Sequence, residues 1–355
     1  MNQKIKITVI GAGNGGQAIA GHCAILGYST CLYNRDIEKL GELRFNNSIE
    51  LYGAINGTGI LTLVTDNIKE AITFGDIIFV ATTATAHKEI AQQIKPFLKE
   101  EQLLILTPGR TGGVLEIGKI LCNNKIYLAE AQTLMYACRK EREGLVHIIG
   151  VKDKVFFAGR NKKETTYIQH IVSQIYPCLL PADSLLHTSL ENIGAIFHPS
   201  VIMFNAAAIE RGSMFYFYRE MTPQIAQFIQ RLDNERINIG KAYHINLISA
   251  SEWVSYAYPN ISGSTLCEKM QNNPAYYDIL APKSIFSRQL LEDIPTGLLP
   301  MTELARAAKI ETPLMSSIIT VCSNLLNIDF YTTGRTLKDM GLDNMDKYQI
   351  LKKLQ

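Results

Sequence analysis

The sequence predicts an α/β fold, with a doubly wound parallel sheet in the first half of the chain and an all-helical second half. Three observations carry this. Short apolar, β-branched runs alternate with segments long enough for helices up to about residue 180. From about residue 185 the strand signal disappears and long helical patterns take over. A glycine-rich turn stands directly between the first strand and the first helix.

Residues 4–10, KIKITVI, are β-branched and bounded by glycine, the pattern of a strand buried on both faces. Residues 14–27 carry apolar groups at helical spacing and end at Gly27 as a C-cap; a second strand follows at 29–33. Further strands are predicted at 76–82, 102–108 and 125–131, each reached through a helix-length segment, so that they lie parallel. Residues 49–66 read as an inserted hairpin turning at Gly57 and Gly59, and 144–159 as two more short strands at the sheet edge. A helix and a strand over roughly 163–180 close the domain. Beyond it, helices are predicted at 187–211, 223–248, 296–309 and 313–327, the second with Thr222 as N-cap and Pro223 at the first helical position. YPNISGST (258–265) is a loop between helices.

The 355 residues exceed most single cores and suggest two domains, 1–184 and 185–355. Lys+Arg 35 against Asp+Glu 33, with no run of like charges, argues against nucleic acid or an anionic membrane as partner. The seven cysteines are scattered without metal-ligand spacing, so neither a disulfide framework nor a metal site is expected. The opening apolar run is shorter than a signal-peptide core, and no stretch of about eighteen apolar residues occurs. A soluble, cytoplasmic protein is expected.

GAGNGG (11–16) places Gly11, Gly13 and Gly16 in the GxGxxG pattern after a strand and at the mouth of a helix, with Asn14 and Gly15 between them. The first glycine makes the tight turn, the second lets backbone approach a pyrophosphate, and the third lets helix pack on strand. The anion would sit on the free amides and positive dipole end of that helix. A Rossmann-type dinucleotide site is therefore predicted. At the end of the second strand, where NAD enzymes place a carboxylate against the ribose 2′-hydroxyl, stands Asn34 followed by Arg35, a pair suited to a 2′-phosphate. NADP is favoured over NAD, although a register shift of two would bring Asp36 into the carboxylate's place. The loops ATTATAH (81–87), with Thr82 and Thr83, and TPGRTGG (107–113), with Pro108 and Gly109, follow other strands and should line the same crevice. His87 is expected at a helix start on the surface.

In the second half, ENIGAIFHPSVIMFNAAAIE (191–210) is almost wholly apolar with His198 at its centre and Pro199 after it, which suggests a helix beginning or kinking there. A histidine held in core by a backbone hydrogen bond is the plain alternative. Asp293, before Ile-Pro, would most simply be a helix N-cap, and Arg288 a surface arginine. The aromatics of SMFYFYRE (213–220) and Trp253 read most simply as core.

With both halves in view, the chain resembles the octopine/nopaline dehydrogenases, the opine dehydrogenase family, over essentially its full length. The matching segments are GAGNGG, TPGRTGG, AEAQTLMYACR (129–139), ENIGAIFHP with Asn205 beyond it, SRQLLEDIPTGLLP (287–300) and TTGRTLKDMGL (332–342). The resemblance implies a Rossmann domain followed by a helical domain like that C-terminal in 6-phosphogluconate dehydrogenase, with the site in the cleft between them. It implies reductive condensation of an amino acid with a 2-oxo acid, using NADH or NADPH, to an N-(carboxyalkyl)amino acid, and the reverse oxidation. It makes His198 the acid/base, Asp293 its carboxylate partner and Arg288 the grip on the 2-oxo acid's carboxylate. Thr133 and Arg139 are secondary candidates for substrate contact, with a structural role as the alternative. SRQLLEDIPTG lacks the aromatic that many relatives carry beside this arginine or after the proline, which bears on substrate identity. The competing readings are a two-domain reductase of the ketopantoate or glycerol-3-phosphate type, with Lys241 as its acid/base, and a non-catalytic NADP(H) sensor. The apolar helical half suggests a homodimer.

Overall fold

A computed structural model describes residues 5–122, 124–258 and 261–354 of the chain. They form two compact units, the first spanning the chain to Gly109 together with Gly113–Leu185, the second Arg110–Gly112 together with the chain from Leu186.

The first unit is built on an eight-stranded sheet. Its strands in chain order are β1 (Lys6–Ile10) and β2 (Ser29–Tyr33), then β5 (Leu63–Thr65), β6 (Ile77–Val80), β7 (Leu103–Leu106), β8 (Tyr127–Ala131), β11 (Val155–Gly159) and β12 (Leu179–Pro181). The spatial order is β12-β11-β8-β7-β6-β1-β2-β5, with every pairing parallel except β11 on β8. Period-two patterning puts Ile7, Val9, Phe79 and Ile105 in one apolar layer and Ile10, Ile78, Val80 and Leu104 in the other, so helices cover both faces. Both the doubly wound sheet and the helical second half are as expected. The order runs outward from β1 in both directions, leaving a switch point between β1 and β6 at which such sheets bind ligands.

The remaining strands, β3 (Ser48–Gly53), β4 (Gly57–Ile60), β9 (Tyr136–Arg142) and β10 (Leu145–Val151), form a second sheet in the order β4-β3-β10-β9. The expected hairpin is thus present as β3 and β4, but Gly57 and Gly59 lie in a strand and the turn precedes them. Glycine is needed at 59 because a Cβ there would lie 2.4 Å from the Gly21 carbonyl oxygen. The two strands expected over 144–159 separate: β10 joins this second sheet, and β11 lies inside the edge of the main one. The first strand starts at Lys6, and Lys4 lies outside the described residues.

In the second unit the helix expected over 187–211 is three helices, Leu185–Leu190, Gly194–Phe204 and Ala206–Glu210, the first starting at the last residue of the first unit. The long helix Pro223–Ala242 has Thr222 as its N-cap, the hydroxyl accepting from Ile225 N. Two shorter helices, Ala250–Ala257 and Leu266–Gln271, start from capping boxes at Ser249/Glu252 and Thr265/Glu268. The YPNISGST loop lies between them, with Pro259 and Asn260 outside the described residues. The expected helix at 296–309 opens with a π-helical turn, Ile294–Leu298, before Leu299–Ala307. Among the described residues no helix is long and apolar enough to cross a membrane.

Candidate active site

Helix Asn14–Ile25 begins at Gly13 with no side-chain cap and no acidic residue in its first turn, so its leading amides and positive dipole end are kept for an anion. Gly11 lies at φ +103, and a Cβ there would stand 2.8 Å from the Ala81 carbonyl and 2.9 Å from Thr82 Cγ2. At Gly16 a Cβ would fall 1.7 Å from the Gly11 carbonyl, which is why helix and strand meet as closely as they do. Around Gly13, by contrast, nothing lies within 4 Å of the place a Cβ would take, leaving an open approach to the backbone. Asn14 Oδ1 accepts from Lys140 N (3.1 Å) and Gly15 packs against Leu134. These residues fit a dinucleotide pyrophosphate.

The other residues expected at this site follow the carboxyl ends of neighbouring strands: Thr82 and Thr83 after β6, Pro108 and Gly109 after β7, Asn34 and Arg35 after β2. Asn34 Nδ2 donates to the Asp36 carbonyl (2.8 Å). The Asp36 carboxylate accepts from Glu38 N (3.2 Å) as cap of the following 3-10 turn and meets Lys39 at 3.5 Å. It is therefore engaged locally, whereas Arg35 is largely exposed and meets the exposed Glu89 at 3.4 Å, a pair of little energetic weight. His87 opens helix His87–Ile94 but is fully buried, contrary to the surface position expected of it; it packs toward Gly113, whose Cβ position lies 3.5 Å from Nδ1.

In the second unit His198 sits in the second turn of helix Gly194–Phe204, with Pro199 inside the helix beside it, and the expected break precedes the helix rather than falling at the histidine. Asp293 leads the π-helical turn and caps nothing with its side chain. Instead its Oδ2 lies 2.6 Å from His198 Nδ1, and the other ring nitrogen, Nε2, lies 2.8 Å from the Tyr218 hydroxyl. Asp293 is 1% exposed. Burial works against its ionisation, but the Arg110 guanidinium and then His198 outweigh burial, and its carboxyl lies below the ordinary range. Burial pushes the Tyr218 phenol far up, so it keeps its proton. Both ring nitrogens are thus held, Nδ1 by the Asp293 carboxylate and Nε2 by the Tyr218 hydroxyl, which fixes the orientation of the ring.

Arg288 starts the short helix Arg288–Leu291, is 63% exposed, and meets Glu292 at 3.5 Å. It is near enough to act electrostatically on both Asp293 and Tyr218. Thr133 and Arg139 belong to the first unit: the Thr133 hydroxyl accepts from Lys152 Nζ (2.9 Å), and Arg139 is exposed on β9 opposite His147. Two residues at the histidine were not singled out from sequence. Arg110 lies in a loop expected to line the cofactor, and Tyr218 lies in an aromatic run read as core, where it also stacks on Tyr276 with centroids 4.5 Å apart. Close packing confines the cluster. A Cβ at Gly194 would lie 2.8 Å from Arg110 Nη1 and 3.3 Å from His198 Cε1, and one at Gly297 would lie 2.5 Å from Ala195 Cβ.

Residues 181–326 match the family described as NAD/NADP octopine/nopaline dehydrogenase, alpha-helical domain, and residues 6–116 match the NAD-dependent glycerol-3-phosphate dehydrogenase N-terminus. The chain is 35% identical over 342 residues, 95% of each chain, to an opine dehydrogenase of Arthrobacter sp. (strain 1C). It belongs to the opine dehydrogenase family. A second relative, vitopine synthase of Allorhizobium ampelinum, is 26% identical over 98% of each chain. An octopine dehydrogenase solved in complex with NADH and agmatine shares the fold, with a TM-score of 0.81 over 98% of each chain at 18% identity. As an opine dehydrogenase, the protein is an NAD(P)-dependent oxidoreductase that takes a nicotinamide cofactor. The lysine on which a simple carbonyl-reductase reading rested, Lys241, is exposed at the end of helix Pro223–Ala242.

Proposed function

We propose that the protein joins the amino group of an amino acid to the carbonyl of a 2-oxo acid and reduces the product, with His198 as the acid/base. The hydrogen-bonded chain Tyr218–His198–Asp293 carries this reading: one ring nitrogen is anchored by an ionised, buried carboxylate and the other is presented to a hydroxyl group. Addition of amine to carbonyl gives a carbinolamine. The imidazole takes a proton from the attacking nitrogen and passes it to the carbonyl oxygen, giving the carbinolamine; a second proton, taken from solvent through the same imidazole, converts the hydroxyl to water, whose departure leaves an iminium ion. Bound nicotinamide supplies the hydride that saturates the C=N bond. Asp293 stabilises the imidazolium between these steps and keeps the ring in one orientation. Arg288, exposed and rigidly forked, pairs with the 2-oxo acid's carboxylate. Thr133 and Arg139 are proposed as secondary contacts, of which Thr133 already serves Lys152.

The decisive assay pairs each of the amino acids with pyruvate, 2-oxoglutarate or glyoxylate and identifies products by mass. Cofactor oxidation is expected only when both substrates are present, and full-rate turnover with a single carbonyl compound would reject the condensation. A sensor would bind cofactor and oxidise none.

NADPH is expected to be the better cofactor, because Arg35 is open to a 2′-phosphate while Asp36 is engaged in its cap. Arg35→Ala should raise the KM for NADPH about tenfold or more, the weight of a hydrogen bond to a charged group, and leave that for NADH nearly unchanged. Equal effects on both cofactors would move Arg35 away from the phosphate. A cytoplasmic homodimer completes the proposal. Exposed Val321, Leu325 and Tyr331 on the helical unit support the dimer, which light scattering of the purified chain would check.

A further inference from the structure

We propose that Arg110 is a positioning residue for proton transfer: reaching across Asp293, Glu292 and Asn192, it sets the proton affinity of the His198–Asp293 pair and with it the pH at which the enzyme works. The proposal rests on the assignment of that pair as the acid/base.

Arg110 stands in TPGRTGG, between residues expected to line the cofactor, yet Arg110–Gly112 belong to the helical unit. Their backbone is fixed there from several sides. Thr111 N donates to the Thr296 carbonyl (3.1 Å), the Thr111 hydroxyl to the Ser189 carbonyl (2.9 Å), and Gly112 N to Ser189 Oγ (3.1 Å), while the Thr111 carbonyl accepts from Arg335 Nη1 (2.7 Å). Arg110 itself is held at φ 59, a left-handed conformation that a side-chain-bearing residue keeps only where its surroundings impose it.

The contacts of the guanidinium are specific in a way that bears on chemistry. Nη1 lies 3.3 Å from Asp293 Oδ1, whereas His198 uses Oδ2 at 2.6 Å. The arginine and the histidine therefore hold different oxygens of one carboxylate. Nη2 lies 3.4 Å from Glu292 Oε2, and Nη1 also donates to Asn192 Oδ1 (3.3 Å). These distances are longer than those of a tight arginine–carboxylate fork. Arg110 thus acts as a counter-charge to Asp293 without competing for the lone pairs that accept from Nδ1.

The charges facing the pair are Arg110 and Arg288 on one side of the balance and Asp293 and Glu292 on the other. Asn192 is neutral, as is the Tyr218 phenol, with Tyr276 and Tyr258 packed behind it. With a neutral imidazole the four charges cancel. Removing Arg110 leaves one negative charge in excess, so a proton on the pair is held more tightly and its midpoint rises; the sign is the same whichever partner carries the proton. Of the charges that lower the Asp293 carboxyl, Arg110 comes first, with His198 acting both as a charge and through its hydrogen bond.

The test uses the full-length protein with 13C-labelled histidine, the His198 resonance being identified by its absence from H198Q. In Arg110→Met its titration midpoint should move up by about one pH unit, the scale of one close opposite charge, and Arg110→Lys, which keeps the charge, should move it less. The pH profile of the oxidative reaction, which needs the neutral imidazole, should follow, with about tenfold less activity on the acid side of the midpoint. A midpoint unmoved in folded Arg110→Met overturns the proposal. If that variant fails to fold, Arg110→Gln, which retains an amide for Asn192 and the carboxylates, is read in the same way. Wild-type turnover in H198Q would instead remove the acid/base assignment itself, so the two failures are told apart.

Discussion

Replacing His198 by alanine lowers turnover in both directions by at least about a hundredfold, the usual scale of a positioned acid/base. Cofactor affinity, measured by fluorescence titration of NADPH, stays near the wild-type value, because the residues proposed to hold the dinucleotide are in the first unit and His198 is in the second. The variant should fold: the side chain is 18% exposed, and Asp293 retains Arg110 as a counter-charge. Turnover within a few-fold of wild type would return His198 to the role of a satisfied core histidine, with Tyr218 and Asp293 as its partners only in a structural sense.

The second large effect belongs to the glycine turn, and comparing two glycines makes it specific. At Gly16 an added methyl has no room, lying 1.7 Å from the Gly11 carbonyl, so Gly16→Ala must part the helix from the strand. Overpacking of this kind costs about 1–3 kcal/mol, and the same displacement of the anion-binding amides should weaken NADPH binding about ten- to a hundredfold. Both the Tm and the affinity fall. At Gly13 the methyl meets no protein atom and the backbone is already at φ −77, so Gly13→Ala should leave the Tm unchanged. It should still weaken the cofactor, because the methyl occupies the open approach to the backbone. An unchanged affinity in Gly13→Ala would remove the pyrophosphate from this turn.

Much of the fold is legible in the sequence because its signals are local. β2 falls where the short segment between Gly27 and Asn34 does, and Thr222-Pro223 marks a helix start through a hydroxyl and a ring that act within one turn. β9 was not legible: YACRKER carries charges on a partly exposed strand, and its pairing with β10 gives no apolar alternation to detect. The long apolar stretch at 187–211 has helical spacing throughout, yet the chain breaks twice within it, which periodicity does not register. At the site, GxGxxG is a local pattern and can be read directly, whereas the partners of His198 cannot. Asp293 is 95 residues away and was reached through resemblance alone; Arg110 and Glu292 are 182 apart and carry no sequence signal of meeting. Tyr218 differs in no local way from the aromatics beside it, and only the position of its hydroxyl against Nε2 distinguishes it.

The glycines that close in on the histidine bear on how such an enzyme diversifies. At Gly194 a methyl group would crowd Arg110 and His198 directly, and at Gly297 it would crowd Ala195 and the Asn192 amide that Arg110 meets. Inheritance of new substrate preferences through this part of the molecule is therefore blocked. Drift toward different amino acids would have to accumulate at more exposed positions around Arg288, whose own charge the substrate carboxylate and the balance at Asp293 both need.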